Sequence, residues 1–172
     1  MNFLELVKNR YSERFFNNNI PVEKEKLDKI LEAGRLSPTA FNYQPQRFYI
    51  IKSREAQEKA VKVTPFAFNI PVLILVCYDI NEVWKNKREE GYNSGEQDIS
   101  ISAATMMYEA ESLGVHSLWI RGFNSKVAAE VFNLPKNIIP AMFLALGYPS
   151  EKSQPSDWHF KRKSIKELIV EL

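Results

Sequence analysis

The chain has 172 residues, 45% of them apolar, and its 23 basic and 21 acidic side chains give a formal net charge of +2. That length predicts one domain, residues 1–172, burying roughly 70% of the surface its unfolded form exposes. The apolar share excludes a disordered tail, and the mixed charge excludes the strong basic field of a nucleic-acid binder. The N-terminus shows no basic segment leading into an apolar signal run, and no apolar stretch approaches about 18 residues. Cys77 is the only cysteine, so no intrachain disulfide can form. A cytoplasmic protein, with no membrane partner, is the expectation.

The elements follow in chain order. Phe3, Leu4, Leu6 and Val7 predict a first helix ending near Asn9. Pro21 is expected to open a second, in which Leu27, Ile30, Leu31 and Leu36 recur at helical spacing until Ser37-Pro38 stops it. Residues 47–52 (RFYIIK) read as a strand and 54–63 as a short helix. Residues 71–78 (PVLILVCY) form a continuous β-branched and aliphatic run, the mark of a strand covered on both faces. Cys77 lies in that run and reads as a buried structural thiol. Residues 81–91 read as a surface excursion.

The longest element spans 94–113, where Ile99, Ala103, Met106, Met107, Ala110 and Leu113 make one stripe. Ile101, Ala104 and Tyr108 spread apolar character around it, as in a helix central to a fold or a subunit contact. Gly114 can cap it. Strands at 115–120 and 141–146 flank a helix near 126–132, the tail 150–163 is polar and irregular, and 164–172 is amphipathic again. The alternation predicts an α/β or α+β fold around a central sheet.

Two stretches carry chemistry. Arg10-Tyr11-Ser12-Glu13-Arg14 sets two guanidinium groups and a hydroxyl at alternate positions. In an extended segment Arg10, Ser12 and Arg14 point the same way, a cationic strip suited to a phosphate. Residues 37–45 (SPTAFNYQP) form a turn-rich loop whose Asn42 and Gln44 amides both donate and accept hydrogen bonds. Together they suit a ligand with a phosphate end and a polar heteroaromatic end, as flavin mononucleotide has.

Taken singly, these residues have plainer explanations. Arginines at a helix end are commonly solvated, Asn commonly bonds its own turn, Gly122 can simply end a strand, and Arg162 sits within a basic run. A carboxylate at Asp98, near the start of the long helix, is explained by the helix dipole alone. His116 and His159 stand far apart, and no cluster has metal-ligand spacing. Neither GxGxxG nor GxxxxGK[ST] occurs, so no dedicated dinucleotide-binding unit is visible.

The joint pattern resembles the flavin-dependent nitroreductase family in its compact form. The matching residues are Arg10 to Arg14, Ser37 to Pro45, Asp98 with the helix ending Leu113-Gly114, Trp119-Ile120-Arg121-Gly122-Phe123, Gly147-Tyr148-Pro149 and Arg162. The resemblance implies an α+β three-layer sandwich, its mostly antiparallel sheet flanked by helices, in an entwined homodimer with FMN at each subunit interface. By position it assigns Arg10, Ser12 and Arg162 to the phosphate, Arg14 to the ribityl chain and pyrimidine edge, and counts Tyr11 among the cofactor-binding residues. It assigns Pro38, Thr39, Ala40 and Asn42 to a loop laid on the isoalloxazine by the partner, and Arg121 and Gly122 to a turn facing the flavin N5.

The implied activity is hydride uptake from NADH or NADPH and delivery to a small acceptor (nitroaromatic, quinone or activated alkene) by alternating occupancy of one slot. No side chain is required as a general acid, and no catalytic residue is named. A specialised reductase or dehalogenase of this fold, a flavin-binding module without turnover, and a dimer that has lost its cofactor are the alternatives. Two departures stand out: Gln46 where a tryptophan often follows Gln-Pro, and no cation in residues 65–69 before the strand at 71–78. Trp84 and Tyr92 either stack on acceptors or pack the excursion down.

Overall fold

The computed structural model describes residues 2–172. Five strands form one sheet: β1 (Phe16–Asn17), β2 (Gln46–Ile51), β3 (Val72–Asp79), β4 (His116–Ile120) and β5 (Ile138–Pro149). Every strand pairing is antiparallel. β5 is central, with β3 and then β2 on one side; β4 and, further along, β1 pair with its other side. Beyond β4 the chain adds a parallel bridge between Ser12 and Ser117.

β3 explains the three layers. Val72, Ile74, Val76 and Tyr78 face a core built with α2 (Lys24–Arg35) and α4 (Gly95–Ser112), through Leu27, Ile30, Ile99, Ala103 and Met106. Leu73, Leu75 and Cys77 face a second core shared with Ile51 of β2, Phe143 and Ala145 of β5, and Ala60 of α3 (Arg54–Val63). Because side chains alternate, a strand buried on both sides must be apolar at every position. The fold is α+β, a mostly antiparallel sheet flanked by helices. Burial pushes the Cys77 thiol up to about 12, matching an inert structural cysteine.

α4 ends as its sequence requires. Gly114 takes φ +72°, its N–H donates to Glu111 O (3.0 Å), and Val115 N–H donates to Ala110 O (2.8 Å). These two bonds satisfy carbonyls that the helix leaves open.

Three boundaries differ from the sequence reading. α2 starts at Lys24, because Pro21 and the extended Glu23 lead into the helix instead of opening it. Leu36 is exposed at the helix end, off the buried stripe. β5 runs over twelve residues; Pro140 is accommodated at a bulge where Cys77 pairs with Pro140 and Val76 with Met142.

α1 (Phe3–Asn9) opens on a capping box between Asn2 and Glu5 and buries no residue. α5 (Ser125–Val131) is capped by Asn124. The tail holds α6 (Asp157–Phe160) and α7 (Ile165–Leu168), neither with a buried residue.

Candidate cofactor cleft

Residues 10–14 leave α1 extended and run beside β4. Alternation turns Glu13 inward, where it is 1% exposed. Its carboxylate accepts from Phe15 N–H (2.7 Å), from the Tyr11 hydroxyl (3.1 Å) and from the Ser153 hydroxyl, and His116 Nδ1 lies 3.6 Å away. Burial, with the Glu13 carboxylate adding to it, holds the Tyr11 phenol above its ordinary range. Tyr11 also meets His116 and His159 edge-on, at 5.2 and 6.1 Å. The Tyr11 side chain thus belongs to the anchor that holds the segment and ties the tail at Ser153 to it. Sequence reading did not identify Glu13; its position between two outward residues of an alternating segment was the available signal.

Arg14 donates to Ser12 O (3.0 Å), and its side chain enters a cleft of about 430 Å³. Arg121 and Gly122 line the same cleft, with walls from Phe66, Phe68 and Trp119. The turn at Gly122 is pinned by Thr64, whose buried hydroxyl donates to Gly122 O (3.0 Å). A Cβ at Gly122 would stand 3.1 Å from the Phe66 ring, so glycine keeps this wall close. Arg121 sits over Phe123 (5.4 Å) and 3.9 Å from Glu96. Phe66 and Phe68 belong to the 65–69 segment, where the sequence lacked a cation, and they wall the cleft instead.

The loop 37–45 stands elsewhere. Phe41, Asn42 and Gln44 all have positive φ (52°, 58° and 53°), a conformation that is an outlier for a bulky Phe and costs on the order of 1–3 kcal/mol per residue. Asp98 holds it: buried at 3% exposure, it accepts from Ala40 N–H (2.9 Å) and from the Ser94 hydroxyl (2.6 Å). Its carboxylate lies in the first turn of α4, as expected, and in addition tethers the loop. Gln44 N–H donates to Thr39 Oγ1 (3.1 Å). Gln46 opens β2 with its Oε1 buried and without a protein partner among the described residues.

Within one protomer, then, Arg14, Arg121 and Gly122 share a cleft, while Pro38, Thr39, Ala40 and Asn42 do not line it. Neither do Arg10, at the end of α1, and Arg162, whose guanidinium donates to Trp158 O (2.8 Å) and Lys161 O (3.1 Å).

Comparison with known proteins decides the family. The model described as the Nitroreductase family matches residues 7–64 and 62–148. This chain belongs to the nitroreductase family. A relative from Methanothermobacter thermautotrophicus, provisionally named NADH dehydrogenase/NAD(P)H nitroreductase, is 31% identical over 91% of this chain and 82% of its own length. The crystal structure of a nitroreductase family protein from Clostridium difficile 630 superimposes with a TM-score of 0.91 at 38% identity, covering 99% of this chain and 98% of that one. A structure from Exiguobacterium sibiricum 255-15, described as a nitroreductase in complex with FMN, shares the fold at a TM-score of 0.84 and 23% identity, covering 100% and 98%.

Proposed function

We propose that this nitroreductase-family chain is an FMN-dependent oxidoreductase, a single FMN-binding domain working as a homodimer. It takes reducing equivalents from NADH or NADPH and delivers them to a nitroaromatic, quinone or activated alkene. The observation that carries this reading is the cleft that Arg14, Arg121 and Gly122 line together with the aromatic walls of Phe66, Phe68 and Trp119.

The donor set suits FMN. Flat aromatic side chains suit a ring system, and guanidinium groups suit anionic and carbonyl oxygens. When bound, FMN would supply the two-electron redox chemistry that the side chains lack. Arg10 and Ser12 would hold its phosphate, backed through Tyr11 by the buried Glu13, and Arg162 would close on it. Arg14 and Arg121 would stabilise negative charge developing at the ring edge, a contribution that comes from fixed orientation. Pro38, Thr39, Ala40 and Asn42 would reach the cleft from the partner subunit.

Unpartnered apolar surface supports the dimer. Phe3, Leu4, Trp158, Phe160, Ile165, Leu168 and Val170 are all exposed, concentrated in α1 and the tail. Patches of this kind mark interaction surfaces. Donor and acceptor sharing one slot exclude each other, so initial rates should follow a ping-pong pattern. Anaerobic rapid mixing tests the reading: NADH or NADPH should bleach the bound flavin, and an acceptor should restore its colour. Yellow protein that neither nicotinamide bleaches would overturn it.

A further inference from the structure

We infer that the depression between the 37–45 loop and the 81–93 excursion is the docking site for the adenosine diphosphate end of the dinucleotide donor. This rests on the donor-fed reading above and extends it to a part of the molecule away from the Arg14 cleft. The depression measures about 890 Å³ and is lined by Phe41, Tyr43 and Trp84 together with Lys85, Lys87 and Arg88. That volume falls in the range of small-molecule sites, roughly 300–1,000 Å³.

Its aromatic floor is built, not loose. Phe41 is 76% exposed despite its left-handed backbone, and its ring stacks on Trp84 at 6.2 Å and 24°. Tyr92 braces Trp84 edge-on at 6.4 Å. The Trp84 backbone is locked to the start of α4: its N–H donates to Ser94 Oγ (3.2 Å) and its carbonyl accepts from Ser94 N–H (2.9 Å). A bridge between Lys85 and Asn93 and a bond from Asn86 N–H to Tyr92 O (3.0 Å) close the excursion on itself.

The cations around this floor are uncommitted. Lys24, Lys26, Arg35, Arg47, Arg54 and Lys59 each pair with a carboxylate. Lys85, Lys87 and Arg88 form no ion pair among the described residues, and no carboxylate lines the depression. A planar base gains affinity from stacking on an aromatic side chain, and phosphates gain charge-assisted bonds from Lys and Arg. A neutral nitroaromatic or quinone uses the first feature and leaves the second idle. Adenosine diphosphate uses both. The chain has neither glycine-rich nucleotide loop, so a pyrophosphate needs cations from elsewhere. Phe41 adjoins Ala40 and Asn42, the loop residues assigned above to the partner's flavin, so the donor's far end would rest beside the point where its nicotinamide enters.

Calorimetric titration of the FMN-loaded protein with ADP tests the site, with adenosine as the phosphate-free control. ADP should bind at least tenfold more tightly than adenosine. The double variant K87Q/R88Q, altered only at exposed side chains, should lose at least tenfold in ADP affinity and raise the KM for NADH in parallel. Equal ADP binding by the wild type and the variant, or no ADP binding at millimolar concentration, would overturn the site. Flavin reduction by NADH with an unaltered KM in the variant would also sink the site while sparing the donor reading. ADP binding by a protein whose flavin NADH cannot reduce would sink the donor reading and spare the site.

Discussion

At the residue scale, the site depends on a few side chains that hold others in place. Asp98 is the clearest, since one buried carboxylate joins the strained loop to α4 through Ala40. Asp98→Ala strands that N–H, so thermal or denaturant unfolding should report a loss of about 1.5–3 kcal/mol, with flavin affinity falling as the loop loosens. Unchanged stability would remove the tether. Arg10 stands at the end of α1 and is not part of either core. Arg10→Ala should therefore weaken FMN binding by about tenfold or more, the worth of a charge-assisted bond, at an unchanged melting temperature. Equal affinity in fluorescence titration would take the phosphate away from Arg10. Cys77 gives a chemical check: its thiol, lifted from 9.0 to about 12 by burial, should resist alkylation until the chain unfolds. The folded protein keeps that proton while the unfolded chain releases it near 9.0, so stability should decline as pH rises across that window.

At the element scale, legibility followed local pattern. β3 announced itself because burial on both sides forces unbroken apolar sequence, and α4 because its buried stripe recurs at helical spacing over eighteen residues. β1 did not, since two residues carry no period and their pairing with Tyr148 and Pro149 is fixed by distant chain. The ends of β5 were hidden by Pro140 and by Gly147-Tyr148-Pro149, which look like stops and are accommodated by a bulge and by edge pairing. Likewise the motif residues of the site were visible, but Glu13, Thr64, Phe66 and Phe68 were not. Their roles arise from what folds against them. The tail is an element whose apolar face has no cover within the protomer. Leu168→Asp should leave the protomer folded and shift its sedimentation toward the monomer; an unmoved mass would exclude the tail from the interface.

At the scale of the whole molecule, the division of the site is the central point. Arg14, Arg121 and Gly122 meet in one cleft, whereas the 37–45 loop is tied by Asp98 to another part of the same chain. On the proposed reading a single copy would offer half of the flavin site, and a second copy the rest. Sedimentation of the purified protein, followed in both protein and flavin absorbance, tests this most directly. One flavin per protomer should travel with a species of about 40 kDa, twice the 20.0 kDa chain. Flavin left at the meniscus, or carried by the 20.0 kDa protomer alone, would contradict it.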